Sequence, residues 1–246
     1  RHNLCHYYKL KMSVPYLMFF SGVGNNERKE NVRNIIKALE EQNIRHLFDI
    51  IICCYEDETL FEEKEFENCE IYFETGVMFY FMYKYLTPNI AYKYEKIIIS
   101  FDDIVLTKLN FQEMFDIMDK NKLDVASPAL TNDSLYFHQY MVNKPSYEVG
   151  RLSEFAEFFL ICFNSKTYCD FHQILEPSQT NWGWGYDMLI YPLFKSRIGI
   201  LDCQLIKHTH LSTDKNHEER LTDKRRVLDR YSNYGMARKL TIASLR

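Results

Sequence analysis

The sequence predicts an α/β fold: a Rossmann-like, mostly parallel central sheet flanked by helices, in a single domain. Three observations lead there. Short apolar runs alternate with amphipathic stretches through the first half of the chain, the order that builds parallel sheets. The runs are continuous rather than alternating, as in strands buried on both faces. One of them, Lys96–Ser100, ends in two adjacent carboxylates, Asp102 and Asp103, and open α/β sheets bind ligands at the carboxyl ends of their strands.

Residues 1–11 are polar and basic and precede Met12; they are expected to be an extension or fragment boundary, leaving 12–246 as the domain. Tyr16–Phe20 is a strand, and the Gly/Asn-rich turn after it leads into a helix over Glu30–Glu41. Val32, Ile35, Ile36 and Leu39 line one face of that helix. Phe48–Cys54 is a second strand, so the unit is βαβ with parallel strands. Ser21, Gly22 and Gly24 are small enough for a nucleotide to approach the backbone, but the pattern is not G-x-G-x-x-G, and a simple turn is the other reading. Glu58–Glu70 is acidic, a solvated loop or short helix. Val77–Leu86 is a buried helix stopped at Thr87-Pro88. Phe111, Met114, Phe115 and Met118 mark another helix, and Asp124–Ser127 a short strand. Leu130–Gly150 is irregular. Glu154–Phe163 reads as a long strand, followed by a helix over Lys166–Leu175, a strand over Gly199–His210, and a charged helix from Asn216 to the end.

Composition narrows the class. The 246 residues are 46% hydrophobic and carry a net charge of −4, which argues against a nucleic-acid backbone as main partner. The seven cysteines form no C-x-x-C pair and read as reduced thiols, so a cytoplasmic location is expected. No apolar run reaches the ~20 residues of a membrane span, and no signal peptide is expected.

The acid pair needs compensation, and hard carboxylate oxygens suit Mg²⁺ or Mn²⁺; a water-facing acidic turn is the plainer alternative. Trp182-Gly-Trp-Gly-Tyr-Asp187 holds both tryptophans of the chain. Its rings are expected to serve as stacking platforms for a sugar, with Asp187 placed to take a hydroxyl proton. The alternative is a turn that packs both indoles into the core, with Asp187 as a cap. His208 and His210 have i, i+2 spacing at a strand end, so at most one faces the site. Glu157, an acid among apolar neighbours, needs a partner.

Together these features resemble a GT-A-fold glycosyltransferase, and more closely a family of plant proteins and glycosyltransferase domains of large DNA viruses. The stretches that carry the resemblance are Lys29–Val32, Lys84–Pro88, Phe101–Ile104, Leu123–Leu130, Glu154–Lys166, Trp182–Asp187 and Ile200–His208. It implies a nucleotide-binding half over about 12–128 and an acceptor-side half over about 129–246. It also implies transfer of a hexosyl or deoxyhexosyl group from a UDP- or GDP-linked sugar to a glycan or glycoprotein hydroxyl. Asp103 and His208 become the metal ligands for Mn²⁺ or Mg²⁺, with Asp102 as helper. Ser21, Gly22, Val23 and Tyr55 become the nucleotide pocket, and Lys84 a phosphate contact or merely an exposed helix-end lysine. Trp182, Trp184 and Glu157 fall on the acceptor side, and Asp187 becomes the general base of an inverting reaction. A viral origin would place the protein in the host cytoplasm. Phe101 departs from the pattern, standing where the family's acid–x–acid motif has its first acid. Two rivals stay open. A metal-dependent nucleotidyltransferase would need a basic residue reaching the α-phosphate, often from a glycine-rich loop, and the sequence offers no convincing candidate; a sugar-binding module would need neither Asp187 nor the metal.

Overall fold

Seven residues of uninterrupted burial make β1 (Tyr16–Val23) the axis of the molecule: every residue after Tyr16 is buried. The computed structural model describes residues 14–135, 138–178, 182–210 and 217–246. The expected extension 1–11, the start of the tryptophan segment at 179–181 and the helix start at Asn216 lie outside the described residues.

β1 lies between two parallel partners, β2 (Phe48–Cys54) and β4 (Lys96–Ser100), and β2 pairs in parallel with β3 (Glu70–Phe73). Ile97, Ile98 and Ile99 of β4 are at most 1% exposed, each contributing about 1.5–3 kcal/mol of burial. Beyond β4 the sheet becomes mixed. β8 (Leu160–Asn164) is antiparallel to β4, β6 (Val125–Leu130) is antiparallel to β8, and the long β9 (Ile198–His208) is parallel to β6. β7 (Arg151–Ser153) and β10 (Thr241–Ser244) complete that edge. β5 (Ile104–Lys108) stands off this path and pairs with the end of β9.

α1 (Asn26–Glu41) is capped by Asn25, whose side chain accepts the Arg28 N–H, and buries the predicted stripe Val32, Ile35, Ile36 and Leu39. α2 (Met78–Tyr85), α3 (Pro88–Ala91), α4 (Phe111–Asn121), α5 (Ser165–His172), α6 (Ile190–Phe194) and α7 (His217–Arg230) follow. Among the described residues no helix is long and apolar enough to cross a membrane.

Four expectations need correction. β1 runs on to Val23, so the start of the glycine turn belongs to the strand, with an irregularity in pairing between Ser21 and Val23. The acidic stretch 58–70 is not merely solvated: Leu60, Phe61 and Phe66 are buried beneath it, and its Glu63 and Glu65 bind Lys29 and Arg33 of α1. The long strand expected over 154–163 is strand only at its end, in β8, and residues 154–159 are irregular after the short β7. Ser153 Oγ bonds both the N–H and the carbonyl of Phe155, and Glu154 is taken by Arg238, so local side-chain bonds displace the ladder there. The final helix stops at Arg230, and the chain returns to the sheet as β10.

Candidate active site

After β4 the chain turns through Phe101-Asp102-Asp103 into β5, whose Ile104 pairs with His208 at the end of β9. This register brings together two residues 105 positions apart: His208 Nε2 lies 3.0 Å from Asp103 Oδ2. Thr209 fixes the approach by donating its N–H and its hydroxyl to the Asp103 carbonyl, each at 3.0 Å. On the far side of the ring, Nδ1 is 2.6 Å from the Leu135 carbonyl oxygen. A carbonyl only accepts, so Nδ1 carries a proton and Nε2 is the atom turned to the acid. Phe159 stacks on the imidazole with ring centres 4.3 Å apart. Burial pulls the His208 pKa down and the Asp103 carboxylate pulls it up, with a net rise. His210 is exposed.

Asp102 is held from the opposite side. Gly24 N–H donates to its Oδ2 at 3.1 Å, and the Asn31 amide donates to its carbonyl at 2.7 Å. Arg28, in the first turns of α1, completes the cluster: its Nη1 lies 3.4 Å from Asp102 Oδ1 and 3.5 Å from Asp103 Oδ2. Both separations exceed ordinary hydrogen-bond lengths. Arg28 Nη1 and Asp103 Oδ1 are each buried without a hydrogen-bond partner. The acids are therefore only partly compensated. Burial pushes Asp102 up to about 7, Arg28 opposing and the Asp103 charge reinforcing the rise. The donor set fits a hard divalent cation: two carboxylates, one with an open oxygen, and an imidazole whose second nitrogen is anchored to a backbone carbonyl. As they stand, no three His, Cys, Asp or Glu side chains among the described residues are gathered closely enough to hold a metal ion.

The other expected donor-side residues divide. Tyr55, 37% exposed, covers Gly24 so closely that a Cβ there would lie 2.6 Å from its hydroxyl. Burial, then the Asp102 charge, raises that phenol to about 12. Ser21 is fully buried and its hydroxyl donates to the Met78 carbonyl at the start of α2; Val23 is also fully buried. With Gly22, these residues offer the site backbone rather than side chains. Lys84 is not brought to the acid pair: it sits in the last turn of α2, ion-paired with Glu74.

A second group of charges lies at the tryptophan turn. Asp187 is part-exposed, yet burial raises it to about 6, with Lys224 of α7 and Lys239 opposing. Glu157, in the irregular segment before β8, has a buried Oε2 without a partner, and burial and the Asp187 charge raise it well above the carboxylate range. Trp182 and Trp184 are half-buried, and the Arg220 guanidinium of α7 lies 4.3 Å and 5.9 Å from their ring centres. The indoles are neither open platforms nor core residues; each has a cation against it. Gly183 has φ +78, and a Cβ there would come within 1.9 Å of Phe79. Phe79 in turn stacks on Tyr186 at 5.5 Å and meets Phe101 edge-on at 6.2 Å. Phe101 thus belongs to an aromatic layer joining the acid turn to the tryptophan turn.

Sequence reasoning missed Arg28, Arg220, Lys224 and Lys239. Each is a charged residue of a kind that ordinarily faces water. The one available signal was Asn25 as a helix cap, which puts Arg28 one turn from the glycine backbone.

Comparison with known proteins fits this architecture. The chain belongs to the family described as "Protein of unknown function (DUF707)", whose profile matches residues 6–241. No curated protein matches it by sequence. By shape it is similar to S. aureus TarS 1-349 in complex with UDP-GlcNAc, with TM-score 0.59, 11% identity, and 90% of this chain on 66% of that one. It is similar also to GalNAc-T7 with UDP, GalNAc and Mn²⁺, with TM-score 0.58, 10% identity, and 90% of this chain on 48% of that one. The fold is that of the GT-A glycosyltransferases. The chain spans about half the length of GalNAc-T7 and about two thirds of the TarS fragment.

Proposed function

We propose that the protein is a glycosyltransferase that moves a hexosyl or deoxyhexosyl group from a nucleoside-diphosphate sugar to a glycan hydroxyl. The observation that carries this reading is the under-compensated cluster of Asp102, Asp103, His208 and Arg28 at the carboxyl end of β4, in a GT-A fold. Two acids with one distant guanidinium and an open carboxylate oxygen await positive charge. Asp103 and His208, with Asp102 in support, would hold Mn²⁺ or Mg²⁺, which when bound neutralises charge on the departing diphosphate. Arg28 places a second positive charge on the same side, suited to the nucleotide's phosphates. Tyr55 and the backbone around Gly24 form a wall for the nucleotide, so residues 12–128 serve the donor and 129–246 the acceptor.

On the acceptor side, Asp187 accepts the hydroxyl proton as general base, giving inversion. Its carboxyl group, raised to about 6, stays ionised at neutral pH while remaining basic enough for the task. Beside it, burial and the Asp187 charge raise Glu157 well above the carboxylate range, the separation of two neighbouring acids that suits different roles.

Asp187→Asn tests the reading. Transfer from UDP- or GDP-sugars should fall about 10²–10⁴-fold with donor binding intact; transfer at full rate would refute the assignment, and a wild-type protein that binds sugar without transfer would be the sugar-binding module. One observation favours a second reading. A nucleotidyltransferase needs a basic residue that reaches the α-phosphate, and Arg28, in the first turn of α1 after the glycine turn, faces the acid pair. Release of a nucleoside diphosphate supports the first reading, and release of pyrophosphate the second.

A further inference from the structure

Stacking on indoles satisfies the faces of a guanidinium but none of its N–H bonds, which lie in its plane. Two of the three guanidinium nitrogens of Arg220 are in that condition. The residue is 7% exposed, lies 4.3 Å from the Trp182 ring centre, and has Nε and Nη1 buried with no hydrogen-bond acceptor. Among the described residues the nearby acids are engaged elsewhere. Asp223, one turn on, accepts the Trp182 N–H at 3.3 Å and pairs with Arg226. Glu176 binds Arg226 and Arg230, and Glu219 reaches Arg220 only through its field. A buried cation with open donors is costly unless an anion completes it.

Its position says which substrate supplies the anion. Phe79 meets Phe101 of the acid turn with one edge and lies against Tyr186 and Gly183 of the tryptophan turn. Arg220 lies against Trp182 and Trp184 of the tryptophan turn, on the same helix as Lys224, whose charge acts on Asp187. α7 approaches so closely that its Lys224 and Leu228 lie 3.4–3.5 Å from where a Gly185 Cβ would be. We infer that Arg220 recognises a carboxylate or phosphate on the acceptor, so that the acceptor is an acidic saccharide. This rests on the glycosyltransferase reading above.

The test measures binding of glucuronate, glucose 6-phosphate, glucose and UDP to the full chain by ligand-observed NMR, in wild type, Arg220→Met and Arg220→Lys. Wild type should bind at least one acidic sugar tenfold or more tightly than glucose. Arg220→Met should fall to the glucose level, and Arg220→Lys, which keeps charge but not the planar fork, should fall threefold or more. UDP affinity should stay within twofold throughout. No acidic preference in wild type, or a preference that survives in Arg220→Met, overturns the inference. So does loss of UDP affinity in that variant, which would assign Arg220 to the donor's phosphates. If Arg220→Met does not fold, a full wild-type preference in Arg220→Lys overturns it equally. A wild type that binds acidic sugars through Arg220 but neither binds UDP nor transfers sugar would leave the anion site standing and the glycosyltransferase reading fallen.

Discussion

β9 carries two clusters of buried charge, one in its middle and one at its end, and they are built on different terms. In the middle, Asp202 binds Arg151 directly, and both side chains are fully buried. Arg151 also donates to the Tyr140 and Val142 carbonyls, while Asp202 accepts the Lys144 N–H at 2.7 Å. At the end, His208 meets Asp103, and Arg28 stays 3.4–3.5 Å from the acids it faces. The first cluster is a direct ion pair that clamps β7 to β9, although Arg151 Nε and Asp202 Oδ2 are buried without a hydrogen-bond partner. The second holds two adjacent acids with their guanidinium beyond ordinary hydrogen-bond reach, and Asp102 is raised to about 7. A buried ion pair in direct contact holds a fold; an acid pair left short of positive charge marks a candidate ligand site.

The comparison can be broken at several points. The largest effect belongs to the clamp. Arg151→Leu strands a buried Asp202 and should cost about 3–5 kcal/mol by chemical denaturation, with sugar transfer per folded molecule unchanged. Asp103→Asn should do the reverse. Transfer should drop about 10²–10³-fold, the scale of losing a key electrostatic contact, while the melting temperature holds or rises, because a like charge beside Asp102 is removed. A large stability loss in Asp103→Asn would mean that the end of β9 is a clamp too. Arg28→Met should fall between the two, costing about 1–2 kcal/mol of stability, less than the clamp because its ion pairs are long. The smallest effect is in pH. With Asp187 raised to about 6, kcat should fall about tenfold per unit below pH 6 as the base is protonated. The native state binds that proton more tightly than the unfolded chain does. The group's contribution to stability is therefore fully present below about pH 4 and is lost as pH rises through 6. Asp187→Asn should flatten both profiles.

Much of the parallel part of the sheet was legible in the sequence because burial on both faces leaves continuous apolar runs, and β1, β2 and β4 fell where those runs lie. The Asp103–His208 pairing came from the family resemblance, and the β5–β9 register then brings the two side chains together. What escaped notice did so for physical reasons. Arg28 and Arg220 sit on amphipathic helices, where an arginine serving a site looks like any solvated one. The break after Ser153 depends on side-chain bonds to Phe155 and Arg238 that no periodicity encodes. β10 is a polar, mostly exposed edge strand of four residues, too short and too wet to carry a strand signal.

Phe79 gives the two halves a shared measure. Its ring touches Phe101 beside the acid turn and Tyr186 within the tryptophan turn, and Gly183 lacks a side chain so that the ring can fit. One benzene ring therefore stands as a spacer between the acid turn and the tryptophan turn. On the proposed function, the size of sugar that passes between them is gauged by a residue that forms no bond to either.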